Sequence, residues 1–186
     1  MLRLSFRLLF TLLLVLPLAA CDSDGDGDGD GDGNGNGTNI GSSSVTVSGG
    51  FSSSFDGSAV FGVAEDGSSF SIGIFEGALP TSGNLNGELV AFGRNGDRPS
   101  PGTYSFDPSD MDFTAAYVSD FANTTSGTFL GSSSGTLTIT SSSSDRVAGS
   151  FTFTGQAISG GGPVGAVTVA GTFSAEFATN VPSTGF

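Results

Sequence analysis

The chain is 186 residues long and carries a net charge of −13, with five basic residues against eighteen acids, no histidine and one cysteine. All five basic residues are arginines. Nucleic-acid binding is excluded for want of a basic footprint. Ser-His-Asp and Cys-His catalysis, Schiff-base chemistry and the usual zinc sites are excluded for want of His, Lys and a second Cys.

Residues 1–20 read as a lipoprotein signal peptide. Arg3 and Arg7 make a positive start, Leu8 to Leu18 is apolar apart from Thr11 and Pro17, and Ala19-Ala20 precede Cys21. The apolar run is shorter than the roughly 20 residues a membrane-spanning helix needs, which favours a cleaved signal. Leu18-Ala19-Ala20-Cys21 resembles the bacterial lipobox. The resemblance implies a diacylglyceryl thioether on Cys21, cleavage before it, and acylation, as by palmitate, of the new amino terminus. Two or more acyl chains hold a protein on a membrane where one holds it marginally. Cys21, as lipid attachment point, is the one site residue the sequence nominates; no catalytic, cofactor-binding or metal-ligating residue is assigned. With its only cysteine at the anchor, the mature chain has no disulfide, and its stability must come from burial.

Residues 21–39 form a tether. Asp and Gly alternate from Asp24 to Gly33, followed by Asn34-Gly35-Asn36-Gly37. Such a segment has no apolar face to bury and its charges repel, so it is expected to be disordered and extended. As a flexible chain its roughly 18 residues reach about 20–25 Å. Alternating Asp also resembles the start of a calcium-binding loop. The apolar residue near the loop end and the closing Glu of an EF-hand are missing, so weak, diffuse calcium collection is the most the tether offers. Asp22 directly after the cysteine fits inner-membrane retention in some Gram-negative bacteria. The long acidic run fits export in others, and points to the outer membrane or cell surface rather than the inner membrane facing the periplasm.

Residues 40–186 suit one domain. No helical stripe is present past the leader. Apolar residues instead alternate with Ser, Thr and Gly: Val45 and Val47; Ala59, Phe61 and Val63; Phe70, Ile72 and Ile74; Leu89 to Phe92; Tyr104 and Phe106; Phe113, Ala115 and Tyr117; Leu137 and Ile139; Val147, Phe151 and Phe153; Val167, Val169, Phe173, Ala175 and Phe177. Period two predicts strands with one buried and one wet face. Asp56-Gly57, Asp66-Gly67, Asn84, Asn86-Gly87, Asn95-Gly96, Pro101-Gly102, Ser141 to Asp145 and Gly160 to Pro163 read as turns between them. The expected fold is all-β, an antiparallel β-sandwich or flattened barrel of about 8–10 short strands. Gly149 and Gly171 fall in the inward phase of Phe-rich strands, where a ring can pack over the backbone.

Pro101-Gly102-Thr103-Tyr104-Ser105-Phe106, Ser134 to Thr140, Arg146 to Phe153 and Val167 to Phe173 together resemble a family of uncharacterised bacterial lipoproteins with an all-β domain of unknown function. The likeness spans about residues 101–177 and implies fold and anchorage, with no activity.

Asp107, Asp110 and Asp112 form a cluster that suits a solvated loop, a calcium site, or one side of a glycosidase carboxylate pair. Arg94 and Arg98 are expected to pair with nearby acids. Cleavage removes Arg3 and Arg7, leaving three arginines against eighteen acids, a mature charge of −15; such an excess suits solubility in a saline habitat. The sequence thus describes a monomeric envelope protein without cofactor, joined to the membrane by its N-terminal lipid and displaying a non-catalytic β-domain toward a polysaccharide or protein ligand. A calcium-dependent adhesion or glycan-binding module and a carboxylate-based polysaccharide hydrolase are the alternatives. A small outer-membrane barrel is disfavoured because the outward phase reads as Ser and Thr.

Overall fold

The computed structural model describes residues 41–79, 87–109, 112–120, 128–159 and 165–178. The leader, Cys21, the tether, Asn84, Asn86, Asp110, residues 160–163 and Phe186 lie outside the described residues. Nine strands follow one another: β1 (Gly41–Gly49), β2 (Ser53–Val63), β3 (Ser69–Glu76), β4 (Leu89–Asn95), β5 (Gly102–Ser105), β6 (Thr114–Val118), β7 (Phe129–Ser142), β8 (Arg146–Ser159) and β9 (Val167–Phe177). Each of the apolar runs read from the sequence falls on one of them or borders it. β1 shows the reason most simply, since its residues from Gly41 to Val47 alternate strictly between buried and exposed.

The strands pair in the order β5-β7-β6-β4-β3-β2-β1-β9-β8, and a further β7–β8 ladder closes the ring. The result is an antiparallel barrel of eight strands with β5 as an extra one. β8 occupies one edge of β7 along its length, so β6 and β5 share the other, at Phe129–Gly131 and Thr136–Ile139 respectively. β7 and β8 are the longest strands, and register shifts at Phe129/Leu130, Ser132/Ser134 and Ile139/Ser141 let them bend with the wall. Near the start of β1 its two neighbours meet directly, β2 and β9 pairing in parallel at Val60–Glu176 and Phe61–Phe177.

The up-and-down order gives the barrel two unlike ends. The β1–β2, β3–β4, β6–β7 and β8–β9 connections gather at one, called the mouth below. The start of β1, the β2–β3, β4–β5 and β7–β8 connections and the end of β9 lie at the other, the tether end, because Gly41 follows residue 40 there.

The interior is filled. Phe92 sits at its centre, stacked on Phe106 at 5.7 Å and in contact with Phe151 at 4.9 Å, Phe173 at 6.3 Å and Phe153 at 6.5 Å between ring centroids. Burying each such ring is worth about 1.5–3 kcal/mol. The Phe151 ring lies where a Cβ on Gly171 would be, 2.9 Å from it, as the inward glycine implied. Gly149 lies against the backbone of β7 instead, where a Cβ would fall 2.1 Å from the Thr138 carbonyl oxygen.

Three expectations need correction. Asp56-Gly57 is no turn; it lies inside β2, and a Cβ on Gly57 would fall 1.8 Å from the Phe75 carbonyl oxygen. Close approach of β3, rather than chain reversal, demands the glycine. Phe177 is 42 % exposed rather than interior, because the barrel ends where β2 meets β9; its ring rests on Phe61 at 5.4 Å. Finally, the outward face is not uniformly polar. Phe75, Leu89, Val118 and Phe129 are cross-strand partners in succession on β3, β4, β6 and β7. With Val60 they make a second apolar cluster, joined by Leu79 and Ala178, on the outside of the wall. The outward residues of β1, β8 and β9 remain Ser and Thr for the most part.

Candidate functional site

The acids singled out in the sequence serve their own loop. Asp107 Oδ1 accepts hydrogen bonds from the Ser109 N–H at 2.9 Å and its hydroxyl at 2.7 Å, and Asp112 Oδ2 accepts one from the Ser105 N–H at 3.2 Å. These bonds close the connection between β5 and β6, an ordinary Asx turn, and hold the Asp107 carboxyl below its usual range. Asp110 lies outside the described residues. Among the described residues Arg94 pairs with no acid. Its guanidinium lies over the rings of Phe113 at 5.4 Å and Tyr104 at 5.6 Å, and its Nε donates to the Asn95 carbonyl at 3.3 Å. The edge-to-face pair Tyr104–Phe113 presents a π surface that the planar guanidinium matches. Among the described residues Arg98 makes no ion pair either, whereas Arg146 reaches Glu176 across the β8–β9 ladder at 2.5 Å.

A different group stands at the mouth. Ser53 opens β2, Glu76 ends β3, Glu88 directly precedes β4, and Tyr117 sits one residue from the end of β6. The pleat puts all four in the inward phase, with Phe55, Ile74, Val90 and Ala115 two residues deeper on the same sides. The Tyr117 side chain is fully buried, with Phe51 packed on its ring at 5.9 Å. The Ser53 hydroxyl donates to Glu88 Oε1. Glu76 and Glu88 are laced together, Glu88 N–H to Glu76 Oε2 at 3.0 Å and Glu76 N–H to the Glu88 carbonyl at 3.0 Å. Gly87, at φ +99°, leaves room for this: a Cβ there would come within 2.5 Å of Glu76 Oε2.

Two buried oxygens in this group, Glu88 Oε2 and the Tyr117 hydroxyl, lack a hydrogen bond of good geometry. Burial pushes the phenol well above its usual pKa, and the charge of Glu88, a loose hydrogen bond to it, and then the charge of Glu76 push it further. Buried polar groups are normally satisfied, so each exception asks for a reason. No cluster of three or more His, Cys, Asp or Glu occurs among the described residues. This group offers two carboxylates, a hydroxyl and a phenol, a set of hard oxygen donors, and Asp120 follows in the β6–β7 connection at the same end.

The charge around this group is one-sided. The connections at the mouth, residues 50–52, 77–88, 119–128 and 160–166, contain no Arg, Lys or His. Arg94, Arg98 and Arg146 all belong to connections or strand ends at the tether end. The site escapes the sequence pattern because its members lie far apart along the chain. A usable signal was present: Glu76 continues the inward series Phe70, Ile72, Ile74, and Glu88 begins the inward series leading to Val90 and Phe92.

No family model matches the chain, and neither a curated protein nor a solved structure is similar to it.

Proposed function

We propose that this is a lipid-anchored cell-envelope protein, held through Cys21, which displays a filled β-barrel as a non-catalytic structural or binding module with its mouth turned from the membrane. The observation that carries this reading is the placement of the chain's entry. The tether joins β1 at Gly41, opposite the end where the β1–β2, β3–β4, β6–β7 and β8–β9 connections gather. A nine-residue strand runs about 30 Å, shortened to about 20–25 Å along the axis by strand tilt. Added to the reach of the tether, that lifts the mouth clear of the headgroups. The interior is packed with Phe and aliphatic side chains, which favours ligand contacts at the loops and outer wall. The polar outward faces of β1, β8 and β9 fit a barrel standing in water. The lipobox-like Leu18-Ala19-Ala20-Cys21 supports the anchor.

The experiment compares natively expressed protein with its Cys21→Ala variant by intact mass and membrane partition. The wild type is expected in the membrane with the mass of residues 21–186 plus lipid, and the variant in the soluble fraction. A soluble, unlipidated wild type would overturn the reading. Orientation is read with a fluorophore on Ser52→Cys at the mouth or Ser144→Cys at the tether end, both exposed positions. Quenching by headgroup-labelled lipid is expected to be stronger at residue 144.

A further inference from the structure

The mouth combines three features that do not depend on one another. Two acids, Glu76 and Glu88, sit side by side on one rim, the Glu88 N–H donating to Glu76 Oε2 and the Glu76 N–H to the Glu88 carbonyl. The Tyr117 hydroxyl, on a fully buried side chain, is turned toward Glu88 but makes only a loose contact with it, and Glu88 Oε2 has no other partner among the described residues. None of the connections at this end carries a basic residue. A buried carboxylate oxygen is costly to leave uncompensated, and here no side chain of the mouth loops can supply the compensating charge.

We infer that the mouth is a binding site for a hard divalent cation of the calcium class, with Glu88 and Glu76 as anionic ligands and the Ser53 and Tyr117 oxygens at its inner edge. The donor set decides the class: all four are oxygens, and no thiolate or imidazole is at hand for a softer metal. Two carboxylates cannot fill six to eight coordination positions, so water or backbone carbonyls complete the shell. That places affinity in the weak extracellular range, about 10⁻⁴–10⁻³ M. The site is separate from the aspartates of the tether, and it stands whether or not Cys21 carries lipid.

Terbium is the probe, because its emission is sensitised only by an aromatic ring at or beside the ion. The chain has no tryptophan and two tyrosines. The tether has no aromatic residue, so ions it collects stay dark. Tyr104 belongs to β5, away from the mouth. With the purified mature protein, sensitised emission is expected on adding terbium and is expected to fall when calcium is added in excess. Emission should survive Tyr104→Phe and be lost in Tyr117→Phe and in Glu88→Gln. Glu76→Gln, at an exposed side chain the fold can spare, should weaken terbium binding while leaving the circular dichroism unchanged. A calcium-dependent rise in Tm should accompany these effects and persist when the tether aspartates are replaced by serine. Absent emission, emission that outlasts Tyr117→Phe, or a calcium effect that vanishes with the tether aspartates would each overturn the site.

Discussion

The two ends of the barrel solve the same problem differently. At the tether end, polar groups are mostly closed on neighbours. Asp66 Oδ1 takes the Ser68 N–H, the Ser143 hydroxyl bonds both to the backbone N–H and to the carbonyl of Arg146, Arg94 lies on two rings, and Arg146 meets Glu176. The exceptions there are Arg98, which makes no ion pair among the described residues, and the Ser43 hydroxyl, buried in β1 without a partner, a neutral group whose cost is far below that of a buried charge. At the mouth, the Glu76 carboxylate takes the Glu88 N–H, and the two buried oxygens without a bond of good geometry are a Glu88 carboxylate oxygen and the Tyr117 hydroxyl beside it. The core between the ends is common to both, so the difference does not arise from packing. It arises from what each end is left to meet. An end that settles its own charges has no need of solution or partner; an end that does not is where binding is to be sought.

The largest expected effect removes what the ends share. Phe92→Ala empties the centre of the ring cluster and should cost about 3–5 kcal/mol. For a domain of this size each kcal/mol moves Tm by roughly 2–4 °C, so a drop of about 6–20 °C is expected by calorimetry. Protection of backbone amides at the mouth and at the tether end should fall together. Loss at one end alone would mean that the halves are separately stable.

The next effect separates the ends with a single atom. The Tyr104 hydroxyl donates to the Ser100 carbonyl at 2.6 Å, while the Tyr117 hydroxyl has no bond of good geometry. Tyr104→Phe removes a made bond and should cost about 1 kcal/mol in denaturant unfolding. Tyr117→Phe removes a buried hydroxyl whose contact with Glu88 falls short of a good hydrogen bond, and should cost less than Tyr104→Phe. Equal losses at both positions would show that the Tyr117 hydroxyl is fully satisfied in solution and would erase the contrast.

The sequence carries most of the inner wall and little of the outer. Alternation is unambiguous in stretches such as Val45-Thr46-Val47 or Phe70-Ser71-Ile72-Gly73-Ile74, where every second residue is small or polar. Where both phases are apolar, as in Ala59-Val60-Phe61, Ile74-Phe75 or Leu89-Val90, alternation says nothing of a second face. Only register lines Phe75, Leu89 and Val118 into one row. Asp56-Gly57 misleads for a related reason: glycine at a reversal and glycine beneath a neighbouring strand look alike until the neighbour is in place. In the mouth group Glu76 and Glu88 meet across the β3–β4 hairpin, while Ser53 and Tyr117 join them only when the sheet curves and brings β2 and β6 in from either side.

Acid sensitivity should distinguish the ends next. The Ser68 hydroxyl and N–H hold Asp66 below its usual pKa, and the Ser109 N–H and hydroxyl do the same for Asp107. A carboxyl whose folded value is depressed stabilises the fold above its unfolded value of about 3.9. That contribution is lost as pH falls through the lower folded value. Asp66→Asn and Asp107→Asn should therefore lower stability slightly at neutral pH and leave it unchanged in strong acid, which flattens the acid limb of a stability–pH profile below about pH 4; the effect is small because both groups are exposed. An unchanged acid limb would mean that these turns do not bind their carboxylates in solution.

The smallest effect belongs to the ion pair. The Arg146 side chain is 58 % exposed and that of Glu176 is 17 % exposed, so solvent screens most of their attraction and a contribution of about 0–1 kcal/mol is expected. Arg146→Gln should lower the denaturant midpoint slightly in dilute buffer and not at all at about 1 M salt, where the Debye length is about 3 Å. A loss that persists in salt would assign Arg146 to packing through its aliphatic stem, against the β8–β9 ladder it begins. A loss that disappears would leave the tether end as a set of local, replaceable contacts, in contrast to the mouth, where no loop side chain carries the charge that its carboxylates lack.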